Sequence, residues 1–165
     1  MIRIIKIPEE RVSVLIGKRG KVKREIQKRT GTKIEILDDV TIKGEAVEVL
    51  AAENIVKAVG RGFSPENALL LSSEENTIEI LPLPKERKEL NRIKSRLIGT
   101  NGKSRKNIET LTRTNISVFG RTVSIIGSYE NASMAADAVR KIIEGAPHSF
   151  VYRYLEERQK EILKS

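Results

Sequence analysis

Apolar positions along this chain recur at two periods, and the switches between them mark its elements. Val22 and Ile26 stand four apart, as do Val151 and Leu155, while Leu90, Ile93 and Leu97 recur at three and four. These spacings predict helices that bury one stripe. Ile34 and Ile36 alternate with polar neighbours, and the segment 40–42 follows the acidic pair Asp38 and Asp39 as a hairpin partner. The first half therefore reads as strand 3–7, helices 10–16 and 21–28, strands 34–36 and 40–42, and helix 45–59. The second half reads as strand 77–81, helices 85–98 and 103–112, strands 115–119 and 122–126, and helix 131–144. The order β-α-α-β-β-α occurs twice. It predicts an α+β fold of two domains, each a three-stranded antiparallel sheet covered on one face by three helices.

The two halves are copies of one unit. LIGKRGKVKREIQKRTGTKIEI, from Leu15, aligns without a gap with LIGTNGKSRKNIETLTRTNISV, from Leu97. Ile16 falls on Ile98, Gly17 and Gly20 on Gly99 and Gly102, and Lys21 on Lys103; Ile26, Thr30, Thr32 and Ile34 fall on Ile108, Thr112, Thr114 and Ile116. A period of about 80 residues exceeds that of stacked solenoid repeats and indicates two domains.

Charge then narrows the function. A formal net charge of +9 over 165 residues points to a polyanionic partner. No apolar run is long enough to span a bilayer, and the start lacks a signal peptide's apolar core, so the protein is expected to act in the cytoplasm, as a monomer. Without cysteine there are no disulfides or thiolate ligands. Glycine, lysine and serine at 102–104 invite a nucleotide-binding P-loop, but that loop needs a glycine where Leu97 stands, and here the turn follows a helix instead of a strand. Aromatic residues make up only 4% of the chain, which argues against a sheet that stacks bases on rings.

The shared turn is GxxG between two helices. Glycines let the helix ends meet without side chains blocking a phosphate. The amides that open the second helix carry the positive end of its dipole. Lys18, Arg19, Lys21, Lys23 and Arg24 surround the first turn, and Arg96, Lys103, Arg105 and Lys106 the second. Thr100 and Asn101 add hydrogen-bonding groups.

The pattern IGxxGxxxxxIxxxTxxxI, met twice in this order of elements, resembles the K-homology (KH) domain of type I. The resemblance implies single-stranded RNA as the partner, its backbone clamped by GxxG and its bases in an aliphatic groove. In the second copy it implies RNA-binding roles for Arg96, Ile98, Gly99, Thr100, Asn101, Gly102, Lys103, Arg105, Lys106, Ile116 and Val118. In the first it implies RNA- or protein-binding roles for Ile16, Gly17, Lys18, Arg19, Gly20, Lys21, Arg24, Ile34 and Ile36. The stretch RGFSPENALLL, from Arg61, further resembles archaeal KH proteins related to the small-subunit assembly factor "partner of Nob". That family implies binding near the 3′ end of 16S (pre-)rRNA, alongside assembly proteins of endonuclease or dimethylase type. Its eukaryotic members have a degenerate first GxxG, whereas here both are intact. A KH-based protein scaffold and a general single-stranded nucleic-acid binder are the alternatives.

The domains are read as 1–74, with an appended helix at about 64–72 started by Ser64 and Pro65, and 75–165, with an amphipathic helix at about 149–164. The appended helix is expected at the seam between the domains, and the last helix on the second domain. His148 is the single histidine, and with no cysteine or second histidine nearby it makes neither a metal site nor a base. No clustered carboxylates recur near either GxxG, so no catalytic residue, metal or cofactor is expected, and the protein is read as not an enzyme.

Overall fold

The computed structural model describes residues 1–164. The chain forms two compact units, Met1–Asn76 and the remainder from Thr77 onward. The first contains β1 (Ile2–Ile5), α1 (Glu9–Ile16), α2 (Lys21–Thr30), β2 (Lys33–Ile36), β3 (Val40–Lys43), α3 (Ala46–Gly60) and the short α4 (Pro65–Ala68). The second contains β4 (Asn76–Pro82), α5 (Arg87–Ile98), α6 (Lys103–Thr112), β5 (Asn115–Phe119), β6 (Thr122–Ser128), α7 (Tyr129–Ile143) and α8 (His148–Lys164). Each unit is α+β, with a three-stranded antiparallel sheet in the order β1-β3-β2 or β4-β6-β5. The strand that comes last in sequence lies in the middle, because the hairpin supplies one neighbour and the first strand returns to the other edge.

Register puts the aliphatics of both periods in one core. Ile34 faces Ile42 and Ile36 faces Val40, while Ile116 faces Ile125 and Val118 faces Val123. Ile26, Ile42 and Ile55 are fully buried in the first unit, as are Ile125, Ile142 and Leu155 in the second. Burial of each such side chain contributes about 1.5–3 kcal/mol.

Local chemistry fixes the helix ends. The Glu86 carboxylate accepts from the Lys88 and Glu89 amides and starts α5; Ser64 accepts from the Asn67 amide and starts α4, with Pro65 at the first helical position. α2 ends at Gly31 in the left-handed region, while α6 ends at Arg113, a non-glycine residue at φ 55°.

The apolar segment after Pro65 packs within its own unit. α4 and the turn Leu69–Ser72 lie against α3, burying Ala68 and Leu71, so the first unit itself accounts for those side chains. In the second unit α8 packs on α6 and α7 through Val151 and Leu155. Arg158 ties it down by donating to Asp137 and to the Tyr154 hydroxyl, each at 2.6 Å. Among the described residues no helix is long and apolar enough to cross a membrane.

Candidate nucleic-acid interface

Each glycine turn joins two helices through a fixed run of torsions. Gly17 and Gly99 both sit at φ 74°, with ψ 174° and 175°. That region is open essentially to glycine alone. A Cβ on Gly17 would lie 2.4 Å from the Val22 side chain, and one on Gly99 would lie 2.8 Å from the Ser104 amide nitrogen. The first glycine thus lets the second helix pack hard against the end of the first. Arg19 and Asn101 follow in the left-handed region at φ 57° and 55°, then Gly20 and Gly102 at 74° and 75°. Asparagine tolerates that conformation well, whereas an arginine is less often found there. In the first turn the Arg24 guanidinium donates to the Arg19 carbonyl at 2.5 Å and braces it.

The turns present the N-termini of α2 and α6 without a side-chain cap and without an acidic residue in the first turn. First-turn amides have no partner inside the helix and carry the positive end of its dipole. Exposed Lys18, Arg19 and Lys21 surround one set, and exposed Lys103 and Lys106 the other. None of the five is ion-paired among the described residues. Such an arrangement can hold a phosphate by backbone donors backed by mobile cations. Next to it, Ile16 and Ile36, or Ile98 and Val118, stay half-buried and can meet apolar base faces.

Two family models match this chain: a eukaryotic type KH domain (KH-domain type I) over residues 74–160, and a KH domain over residues 2–58. The chain belongs to the KH family. Over 170 aligned residues it is 46% identical to a KH domain-containing protein of Methanocaldococcus jannaschii, with 96% of this chain and 75% of that protein covered. The pre-rRNA-processing protein PNO1 of Chaetomium thermophilum is 31% identical over 121 residues, 70% of this chain. The chain spans 46% of that protein's length. A chain in the crystal structure of an a/eIF2alpha-aDim2p-rRNA complex from Pyrococcus horikoshii matches with a TM-score of 0.90 at 40% identity, covering 98% of this chain and 95% of that one. Within the KH family this is a tandem protein of the PNO1/Dim2-like kind.

Within the two KH domains, five of the expected contact residues turn out to be engaged elsewhere, Arg24 among them through its bond to the Arg19 carbonyl. The Arg96 guanidinium donates to the carbonyls of Ile142 and Ala146 and ties α5 to the end of α7, where its charge meets the negative end of that helix dipole. It is a clamp within the domain. Arg11 does the same work in the first domain, on the Val59 and Phe63 carbonyls. Ile34 and Ile116 are only 1% and 6% exposed, so they belong to the core and leave no face for a base. Arg105 is paired with Glu109 at 3.1 Å, which offsets much of its charge.

The sequence reading passed over two positions that hold each domain together. Gln27 Oε1 accepts from the Ile34 amide and Glu109 Oε2 from the Ile116 amide, both at 2.8 Å. Each side chain fixes the start of the strand that borders the groove. They occupy matching positions in the aligned copies, which was the available signal. His148 contacts the Arg96 carbonyl through Nε2 at 2.8 Å. A carbonyl only accepts, so Nε2 carries the proton and the ring acts as a donor. Among the described residues no group of three or more His, Cys, Asp or Glu could hold a metal ion.

Proposed function

We propose that this protein binds single-stranded RNA through its GxxG turns and acts in the cytoplasm in assembly of the small ribosomal subunit, on the 3′ region of 16S (pre-)rRNA. One observation carries the RNA reading: two uncapped helix N-termini, each reached through the same glycine torsions and each ringed by unpaired cations. The rRNA assignment is supported by similarity to PNO1 and by the rRNA in the neighbouring structure. The residues proposed to contact RNA are Ile98, Gly99, Thr100, Asn101, Gly102, Lys103, Lys106 and Val118. Ile16, Gly17, Lys18, Arg19, Gly20, Lys21 and Ile36 form the corresponding set. Aliphatic half-buried floors with few rings suit reading base edges in a groove rather than stacking on a sheet.

The test is binding of the intact chain to oligomers from the 3′ end of 16S-type rRNA and to a scrambled control, at two salt concentrations. Two double variants accompany it, Lys18→Asp with Arg19→Asp, and Thr100→Asp with Asn101→Asp. Aspartate accepts the left-handed torsions of positions 19 and 101, so the turns should persist while repelling phosphate. Loss of binding in either variant supports a clamp there. Equal binding of the scrambled control, abolished by salt, would mean that net charge acts alone.

A further inference from the structure

A cavity of about 440 Å³ opens beside the second GxxG turn, between α5, α6 and α8. Gly99 and Thr100 of the turn, Lys103 and Ser104 of α6, and His148 and Tyr152 of α8 contribute to its walls. Neither Ile98 nor Val118 lines it, so it lies apart from the aliphatic floor of the groove proposed above, while sharing Gly99, Thr100 and Lys103 with that RNA-contact set. Among the described residues no acidic side chain lines it either.

Three features give the cavity a chemistry. Ser104 is 3% exposed, and its Oγ has no hydrogen-bond partner among the described residues. The matching position of the first domain holds Val22, so the fold itself has no need of a hydroxyl there. A buried hydroxyl without a hydrogen bond lowers stability and calls for an explanation. The second feature is aromatic: the His148 and Tyr152 rings stand 6.1 Å apart at 46°, in a chain with few rings. The third is Lys103, exposed and without an ion pair among the described residues, one residue before Ser104 on the same helical turn. A cation for phosphate, a ring for a base and a hydroxyl for a polar edge are what a nucleotide requires. The volume falls within the range of small-ligand sites.

We propose that this cavity holds one further nucleotide of the RNA strand gripped by the second turn, with its phosphate at Lys103, its base against Tyr152 and Ser104 as a hydrogen-bond partner. The proposal rests on the RNA-binding reading above. It makes the C-terminal helix part of the binding surface and extends the footprint of this domain beyond its groove.

The test uses the intact chain and nested oligomers of four to eight nucleotides from the 3′ end of 16S-type rRNA, read by fluorescence anisotropy. Wild type is compared with Tyr152→Leu, with Ser104→Val and with the Thr100→Asp, Asn101→Asp variant. Urea unfolding confirms that each variant is folded, and Ser104→Val installs the residue the first domain already accommodates. Tyr152→Leu and Ser104→Val should each lose severalfold, about tenfold for the tyrosine, on the longer oligomers and nothing on the shortest. The turn variant should lose both. Equal losses at every length, or no loss, in the two cavity variants would overturn the subsite and leave the RNA reading intact. Absence of wild-type binding at any length would overturn both. Adenosine or cytidine 5′-monophosphate bound by wild type and lost in Tyr152→Leu, without any dependence on oligomer length, would assign the cavity to a free nucleotide and overturn its assignment to RNA.

Discussion

The Glu109 carboxylate is shared between two partners: Oε2 accepts from the Ile116 amide at 2.8 Å, and Oε1 from Arg105 at 3.1 Å. The first bond belongs to the fold, because Gln27 makes it to Ile34 in the other domain. The second pairs a cation beside the proposed RNA surface. Glu109→Gln should therefore keep most of the stability, as glutamine does at position 27, and should tighten RNA binding at low salt by freeing Arg105. Glu109→Ala should cost about 1–2 kcal/mol in urea unfolding, since it leaves the Ile116 amide unpartnered. Equal destabilisation by both substitutions would refute this division of labour.

The two glycines of each turn should differ in tolerance. Gly99 combines a torsion region closed to other residues with a Cβ position 2.8 Å from the Ser104 backbone, so Gly99→Ala should destabilise by more than about 2 kcal/mol. At Gly102 the nearest atoms to an added Cβ are flexible side chains at 3.8 and 3.9 Å, and the torsions are left-handed helical. Gly102→Asn should accordingly cost about 1 kcal/mol or less. Thermal unfolding of both variants checks the order, and a reversed order would contradict the geometry.

The threonines repeated in the alignment form hydroxyl pairs. Thr112 Oγ1 lies 2.6 Å from the Ile108 carbonyl and donates its proton there, so the bond of 2.8 Å to Thr114 must run from Thr114 to Thr112. Thr30 and Thr32 repeat the arrangement on the Ile26 carbonyl. Thr112→Val should cost about 1–2 kcal/mol by stranding the buried Thr114 hydroxyl. Thr112→Val with Thr114→Val should cost clearly less than the sum of the single changes. An additive double-mutant cycle would show that the pair is not coupled.

Lys103 and Lys106 should act as phosphate contacts and not as readers of bases. Replacing either with glutamine should weaken binding to all RNA sequences alike. It should also reduce the slope of log affinity against log salt by about 0.7 for each lysine that meets a phosphate. A change confined to one sequence, with the slope unaltered, would place that lysine at a base edge.

Much of the architecture was legible in the linear sequence because it depends on local rules. The 3.6 and 2.0 periods assign helices and strands, Ser64 with Pro65 starts α4, and the paired glycines announce a tight turn whose first position only glycine fits. The candidate site could be located to the same depth: Gly17 to Lys21 and Gly99 to Lys103 lie together because they are consecutive. Ile34 and Ile116 were harder, since a strand residue that alternates with polar neighbours faces the sheet's packed side whether a helix or a ligand covers it. Only burial separates those cases, and here it assigns both to the core.

The sequence by itself determined that this chain carries two copies of one basic RNA-type module, because a gapless repeat preserves periodicity, turn glycines and charge in order. The tertiary structure alone decided what its polar side chains do. Arg96 meets carbonyls at Ile142 and Ala146, 46 and 50 positions away, and His148 returns to the Arg96 carbonyl across 52. No such pairing leaves a local trace, and Arg11 does the equivalent work from a position that does not align with Arg96. Hydrogen bonds of this kind require only that two groups converge in space, and convergence is set by the packing of helices far apart in the chain.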